Sequence, residues 1–353
     1  MNNWKNILQE SITSPSQLHL FKKKHQNLNE TISNKVIPDF PMRINSYFLS
    51  LIEEVGDPIW KQCIPDPREE EDFICMEDPL GEEALSPVPN LVHKYPDRAL
   101  LLVTNQCAVY CRFCTRKRMV GTERMHITEE NLQACYDYLR RTPAIREVLI
   151  SGGDPLLLAD DKIDHILSEL QSIPSIDVIR IGSRVPCTLP MRITPELVAI
   201  LRKYHPLYIN THFNHPRELT PEAKKACALL ADGGIPLGCQ TVLLKGVNDN
   251  AQTLKELFLG LLKMRVKPYY LFQADLTRGT NHFRTTTKTG IDIMRQLYGH
   301  ISGMAIPRLA LDAPGGKGKI PLSPNYIKES GENLIFENYL GEICSYPEAV
   351  DPL

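Results

Sequence analysis

The stretch Ala99-Leu100-Leu101-Leu102-Val103-Thr104-Asn105-Gln106-Cys107-Ala108-Val109-Tyr110-Cys111-Arg112-Phe113-Cys114-Thr115-Arg116 decides how the chain is read. It opens as a continuous apolar run, which predicts a buried strand. It then gives way to three cysteines spaced C-x3-C-x2-C, with the aromatic Phe113 just before the last. Thiolates held this close together favour zinc or an iron–sulfur cluster. A structural zinc takes four protein ligands, and no fourth Cys or His lies within a few residues of the triplet. Zinc would therefore need a distant ligand. A cubane cluster on three cysteines leaves one iron open to an outside ligand, and the local sequence favours that reading.

Working outward, apolar runs suited to buried strands recur at 148–151, 178–182, 207–210, 240–244 and 269–272. Amphipathic stretches alternate with them at 129–139, 163–170, 195–204, 221–230, 251–262 and 290–298. Thr128, Thr194 and Thr220 suit helix N-caps, with Pro195 and Pro221 at the next position. About six β/α units in succession predict an α/β fold with a parallel sheet. The spacing leaves closure of the sheet open. A barrel or partial barrel would gather its chemistry on the loops after the strands. The unusual polar residues fall there. Ser151-Gly152-Gly153-Asp154 follows the second run, Ser183-Arg184 the third and Thr211-His212 the fourth. Gln240 lies in the fifth, and Asp275 follows the sixth.

Before the first strand, 4–21 and 47–55 carry helical spacing, and a proline- and acid-rich stretch from Pro65 to Pro89 reads as irregular wrapping. The 353 residues allow one large or two ordinary domains. Lys+Arg 40 against Asp+Glu 42 argues against a dedicated nucleic-acid or membrane-surface binder. No apolar run approaches the roughly 20 residues of a membrane span. The N-terminus lacks the features of a secretory signal. With ten scattered cysteines and one tight group, the expectation is a reduced, cytoplasmic protein.

Further residues draw attention for their chemistry. Leu311 to Pro321 is glycine-rich and holds Lys317 and Lys319. Such a loop offers backbone N–H groups to phosphate, and a lysine inside it suits a Schiff base with an aldehyde cofactor. A flexible, solvated basic loop is the plainer reading. Ser151-Gly152-Gly153-Asp154 is a tight turn or a turn that brings bare backbone to a ligand. Arg116-Lys117-Arg118 reads by default as a solvated charge run, although the fork of Arg116 would suit a carboxylate. Asp275 and Asp312, each flanked by apolar residues, need a cation if buried. A ligand ammonium or a nearby Arg or Lys would serve equally.

The cysteine triplet with its preceding aromatic resembles the radical S-adenosylmethionine (SAM) superfamily. Taken with 86–89, 93–98, 149–154, 180–184, 210–216, 246–249, 268–270 and 312–321, the chain resembles the lysine 2,3-aminomutase family over roughly 40–346. The resemblance implies a partial (β/α)6 barrel at 86–300, a helical N-terminal region at 1–85 and a C-terminal segment at 301–353 that carries the lysine for pyridoxal 5′-phosphate (PLP). It implies a [4Fe–4S] cluster on Cys107, Cys111 and Cys114, with SAM on the open iron. Ser151, Gly152, Gly153, Asp154, Ser183, His212 and Gln240 match SAM-pocket positions. Lys319 matches the PLP lysine, and Lys94, Tyr95 and Arg98 match the segment that holds the PLP phosphate. Arg116 matches the ligand of the substrate α-carboxylate. Asp275 and Asp312 match the pair that holds the far ammonium of L-lysine, a pair that relatives acting on glutamate do not keep. The implied partners are L-lysine, a flavodoxin- or ferredoxin-type electron donor and further copies of the chain.

There are departures from the family pattern. Lys94 stands where relatives often have Arg. Lys317 replaces a loop glycine and is the rival for the cofactor lysine. The cysteine-rich tail of longer members does not follow Tyr346, and Asn250 stands where they supply a zinc cysteine, so no zinc is expected. The implied activity is an isomerase making β-lysine. The alternatives are β-lysine supply for elongation factor P modification and a non-catalytic relative.

Overall fold

The computed structural model describes residues 3–14, 16–18 and 40–349. Its body is a nine-stranded sheet whose spatial order follows the chain. Strand β1 (Leu91–Tyr95) runs antiparallel to β2 (Arg98–Leu102). From β2 the sheet is parallel through β3 (Glu147–Ser151), β4 (Val178–Gly182), β5 (Leu207–His212), β6 (Leu237–Leu243), β7 (Lys267–Gln273) and β8 (Arg308–Ala313). The last strand, β9 (Gly318–Pro321), turns back antiparallel to β8.

Helices Glu129–Arg141, Asp160–Gln171, Pro195–Leu201, Pro221–Asp232, Ala251–Lys263 and Thr287–Leu297 cross between the parallel strands. The six expected strands are therefore β2 to β7, and β8 is a seventh. Thr128, Thr194 and Thr220 cap as expected, each accepting an N–H from the third residue onward.

Alternation within the strands separates core from site. In β6, Leu237, Cys239 and Leu243 are buried and join Leu254, Leu257 and Leu261 of the helix layer in the main core. Gly238, Gln240 and Val242 between them are only half-buried. Side chains alternate across a strand, so this second set faces the inside of the curved sheet. Edge strands β1 and β9 approach each other through side chains, where the Tyr95 hydroxyl accepts the Lys319 N–H at 3.2 Å. The sheet is thus a nearly closed barrel with one seam.

The glycine-rich stretch 311–321 is a hairpin rather than a flexible loop. Asp312 pairs with Lys319 and Ala313 with Gly318 across β8 and β9. Gly315 and Gly316 form the turn with φ of 72° and 76°, which suits residues without Cβ. The 301–353 segment thus supplies two strands of the main sheet. It also forms a separate small sheet of β10 (Ile327–Glu329), β11 (Asn333–Glu337) and β12 (Ile343–Pro347).

Of the N-terminal helical readings, 4–21 contains helix Asn3–Gln9, and part of it lies outside the described residues. The 47–55 reading shortens to Ser46–Leu49. Asp57 explains the stop. Its carboxylate accepts the N–H groups of Glu53 and Glu54 on one side and of Ile59 and Trp60 on the other. It thereby starts helix Pro58–Cys63 instead of prolonging the first.

The wrapping stretch becomes a strap over the open end of the barrel. Met76 N–H bonds to Leu276 O at 2.8 Å, and Gly315 N–H bonds to Pro79 O at 2.9 Å. No helix among the described residues is long and apolar enough to cross a membrane.

Candidate active site

The loop after β2 carries the three cysteines between two small apolar clusters. Cys107 and Cys114 pack against Phe40, Tyr110 and Val120. Cys111 packs beside Phe113, Leu244, Val247, Ala274 and Phe283. Burial pushes the Cys114 thiol up to about 11 and raises Cys107 well above its ordinary value. Thiolates here need compensating positive charge, which a bound metal centre supplies. Among the described residues no three Cys, His, Asp or Glu side chains converge on a single ion. Three soft thiolate donors on one short loop are the donor set that suits an iron–sulfur cluster.

Two features hold this loop in place. The turn after β3 bonds directly to it, with Gly153 N–H to Thr104 O at 2.5 Å and Asp154 N–H to Gln106 O at 2.7 Å. A Cβ on Gly152 or Gly153 would stand 2.3 Å from Thr104 O or Gln106 O. Both glycines are thus required for backbone contact. The second feature is charge. Arg112 is fully buried and forms a two-armed pair with Glu69, at 2.8 and 2.7 Å. Lys117 Nζ joins the same carboxylate at 2.8 Å. Burial alone would raise the Glu69 carboxyl, but these two cations outweigh it and hold it below the usual range.

The 116–118 run is therefore not solvated. Arg116 pairs with Glu82, and Arg118 with Asp78 and Glu83. The acidic strap and the basic loop are partners. Neither Glu69 nor Glu82 was marked by the sequence reading. The signal available was the complementary sign of two segments far apart in the chain.

Asp154 sits at the join between two loops. Its carboxylate accepts the Ser183 hydroxyl at 2.6 Å and the N–H groups of Leu156, Arg184 and Val185. These protein donors account for the side chains of Asp154 and Ser183, which tie the β3 loop to the β4 loop. Ser151 Oγ stands 3.4 Å from Arg116 Nη1. His212 and Gln240 are register partners on β5 and β6. Burial, then the nearby Arg184, lowers His212 to about 3, so its imidazole is neutral. It bonds Asn214 at 2.9 Å, and its ring stands 5.5 Å from that of Phe113.

On the far side of the barrel, Lys319 Nζ lies 3.1 Å from Asp312 and 5.2 Å above the Phe272 ring. Lys94 Nζ is 3.5 Å from the same carboxylate. The Arg98 guanidinium stacks on Tyr95 at 3.8 Å, and Lys94 stands 5.6 Å from that ring. Two cations flanking one aromatic ring beside a lysine suit a phosphorylated, planar aldehyde. Lys317 is exposed in the hairpin turn. Asp275 forms no salt bridge among the described residues. Burial, then the Asp312 charge, pushes it up to about 7. Asp312 thus has lysine partners in the protein, whereas a cation placed beside Asp275 would favour its ionised form.

A parallel-stranded barrel bearing this cysteine loop defines a radical SAM protein. Residues 101–258 match the family model described as "Radical SAM superfamily", whose members hold a [4Fe–4S] cluster and SAM. Residues 294–352 match "Lysine-2,3-aminomutase". The chain is 46% identical to the L-lysine 2,3-aminomutase of Clostridium subterminale, over 99% of this chain and 85% of that one. It is 51% identical to the Methanococcus maripaludis L-lysine 2,3-aminomutase, over 91% and 76%. The glutamate 2,3-aminomutase of Clostridioides difficile is 45% identical over 95% and 79%. A radical SAM methyltransferase structure from Sphaerobacter thermophilus aligns at TM-score 0.46 and 16% identity, over 64% of this chain and 72% of that one. The chain belongs to the lysine 2,3-aminomutase family.

Proposed function

We propose that the chain is an L-lysine 2,3-aminomutase, an isomerase that moves the α-amino group of L-lysine to the β-carbon and so makes β-lysine. Identity does not choose between substrates, because the lysine and glutamate relatives match almost equally. The acid pair carries the reading. Asp275 lies near Asp312 and Lys319; once Lys319 and Lys94 are engaged by the cofactor, the two carboxylates favour a substrate with a far ammonium while opposing one with a far carboxylate.

Family membership and position support the following roles. Cys107, Cys111 and Cys114 hold the cluster. His212 and Gln240 line the adjoining SAM pocket, with Asp154 and Ser183 setting the loops around it. Lys319 carries PLP, with Lys94, Tyr95 and Arg98 at its phosphate. When bound, the cluster and SAM supply a radical that takes hydrogen from the substrate, and PLP holds the migrating nitrogen. Arg116 orients the α-carboxylate, and Asp275 with Asp312 fixes the other end. The two anchors present one C–H bond to the radical source, and the strap excludes water. A flavodoxin- or ferredoxin-type protein would deliver the electron.

The test is to incubate reconstituted protein with L-lysine, SAM, PLP and dithionite. β-Lysine is the expected product. Its absence from protein loaded with both cluster and PLP would overturn the proposal, and β-glutamate formation from glutamate would reassign the substrate.

A further inference from the structure

The Arg184 side chain touches the cysteine triplet. Its Nη1 stands 2.7 Å from Cys111 Sγ. Its Nη2 donates to Gln62 Oε1 at 2.6 Å and to Glu218 Oε1 at 2.8 Å. The guanidinium lies over Phe48 and Phe113, at 5.4 and 5.3 Å from the ring centres. It is buried, and Glu218 is fully so. The backbone N–H of Arg184 is fixed by Asp154, and Gln62 is held by Asn214 Nδ2 at 3.0 Å. The side chain is therefore aimed at the sulfur by partners on helix Pro58–Cys63, the β3 loop and the β5 loop.

We propose that Arg184 is a positioning residue for the electron-transfer step, one that donates a hydrogen bond to the Cys111 thiolate and raises the reduction potential of the cluster. This rests on the cluster reading of the triplet. Reduction adds one electron, and so one negative charge, to a centre already bearing three thiolates. In a buried site that charge is costly unless a fixed cation and N–H donors face the sulfurs. Arg184 supplies both, and partners of this kind tune a centre without ligating it. Glu218 works against it by neutralising part of its charge. The two residues should therefore move the potential in opposite directions, which a purely structural pair would not do.

The experiment is a dithionite titration with redox mediators of the reconstituted protein, following the reduced cluster by electron paramagnetic resonance. R184Q should lower the reduced-to-oxidised ratio at a fixed potential by about tenfold or more, which is about 59 mV for one electron. R184K, which keeps the charge but not the fork, should fall between R184Q and the parent. E218Q should raise the ratio. An unshifted midpoint in R184Q at full iron content would overturn the proposal, as would E218Q moving in the same direction as R184Q. If R184Q takes up no iron, R184K and E218Q decide by the same criterion. Failure of the parent protein to take up iron would instead overturn the cluster reading itself.

Discussion

Glu82 grips Arg116 along one edge of the guanidinium, with contacts of 2.9 Å at Nε and 2.6 Å at Nη2. The remaining nitrogen, Nη1, points to Ser151 Oγ. The carboxylate thus fixes the plane of the fork, and in the proposed function its outer edge takes a second carboxylate, that of the substrate. A charge-assisted hydrogen bond of this kind contributes about 1.5–3 kcal/mol. E82Q should therefore raise the KM for lysine by about tenfold or more, and R116A should raise it further. Iron and sulfide content should match the parent in both. Loss of the cluster in either variant would assign the pair to loop assembly instead.

In the proposed function, Asp275 makes lysine binding depend on pH. Its carboxyl titrates at about 7 in the free site because of burial and the Asp312 charge. An ammonium favours the ionised form, so binding releases a proton. The Kd for lysine should fall as pH rises through about 7 and level off above it. Calorimetry in buffers of different ionisation enthalpy would detect the proton. D275N should bind more weakly and lose this dependence. In the free protein the sign is reversed for stability. The folded state holds a proton that the unfolded chain releases near 3.8, so stability falls as pH rises from there to about 7. A slope in D275N equal to that of the parent would contradict the assignment.

Lys319 and Lys317 are separable by spectroscopy. Both are exposed, but Lys319 Nζ lies beside Asp312 and the Phe272 ring, whereas Lys317 stands in the turn. Borohydride treatment of PLP-loaded protein should fix the cofactor to the peptide containing Lys319. K319A should show no fixed cofactor, and K317A should match the parent. Fixation lost in K317A and kept in K319A would exchange the two.

Gly153 offers a test of the loop-to-turn contact. An alanine Cβ would meet Gln106 O at 2.3 Å, and that oxygen belongs to backbone, which has little room to yield. G153A should displace the cysteine loop and lower iron content after reconstitution. Gly303 has open space around it, so G303A is the control and should load fully. Equal iron in the two variants would show that the turn does not set the loop.

The barrel was legible because its pattern is local. Each apolar run and each capped helix stands in a short window, and β2 to β7 follow from such windows. The hairpin of β8 and β9 was hidden because glycines that serve its turn also disguise its strands. The cysteines, Arg116, Asp275, Asp312 and Lys319 could be marked from chemistry and family resemblance. Their partners could not. Glu82 lies 34 residues from Arg116, and Glu69 lies 43 from Arg112. Sequence shows an acidic segment and a basic one but not which carboxylate meets which cation. Asp154 was marked as a ligand for the cofactor. The structure adds that its oxygens accept from the next loop, a fact that depends on the packing of two strands.

The barrel seam lies where the proposed cofactor lysine lies. Across it, the Tyr95 hydroxyl accepts the backbone N–H of Lys319 and Lys94 pairs with Asp312, contacts that stand in place of a ladder of backbone bonds. A molecule that bonds to Lys319 and carries a phosphate to Lys94 and Arg98 would act as a clasp on a hoop, joining the first stave to the last. Loading the cofactor would then tighten the vessel as well as equip it, and amide hydrogens along β9 would exchange more slowly once the clasp is shut.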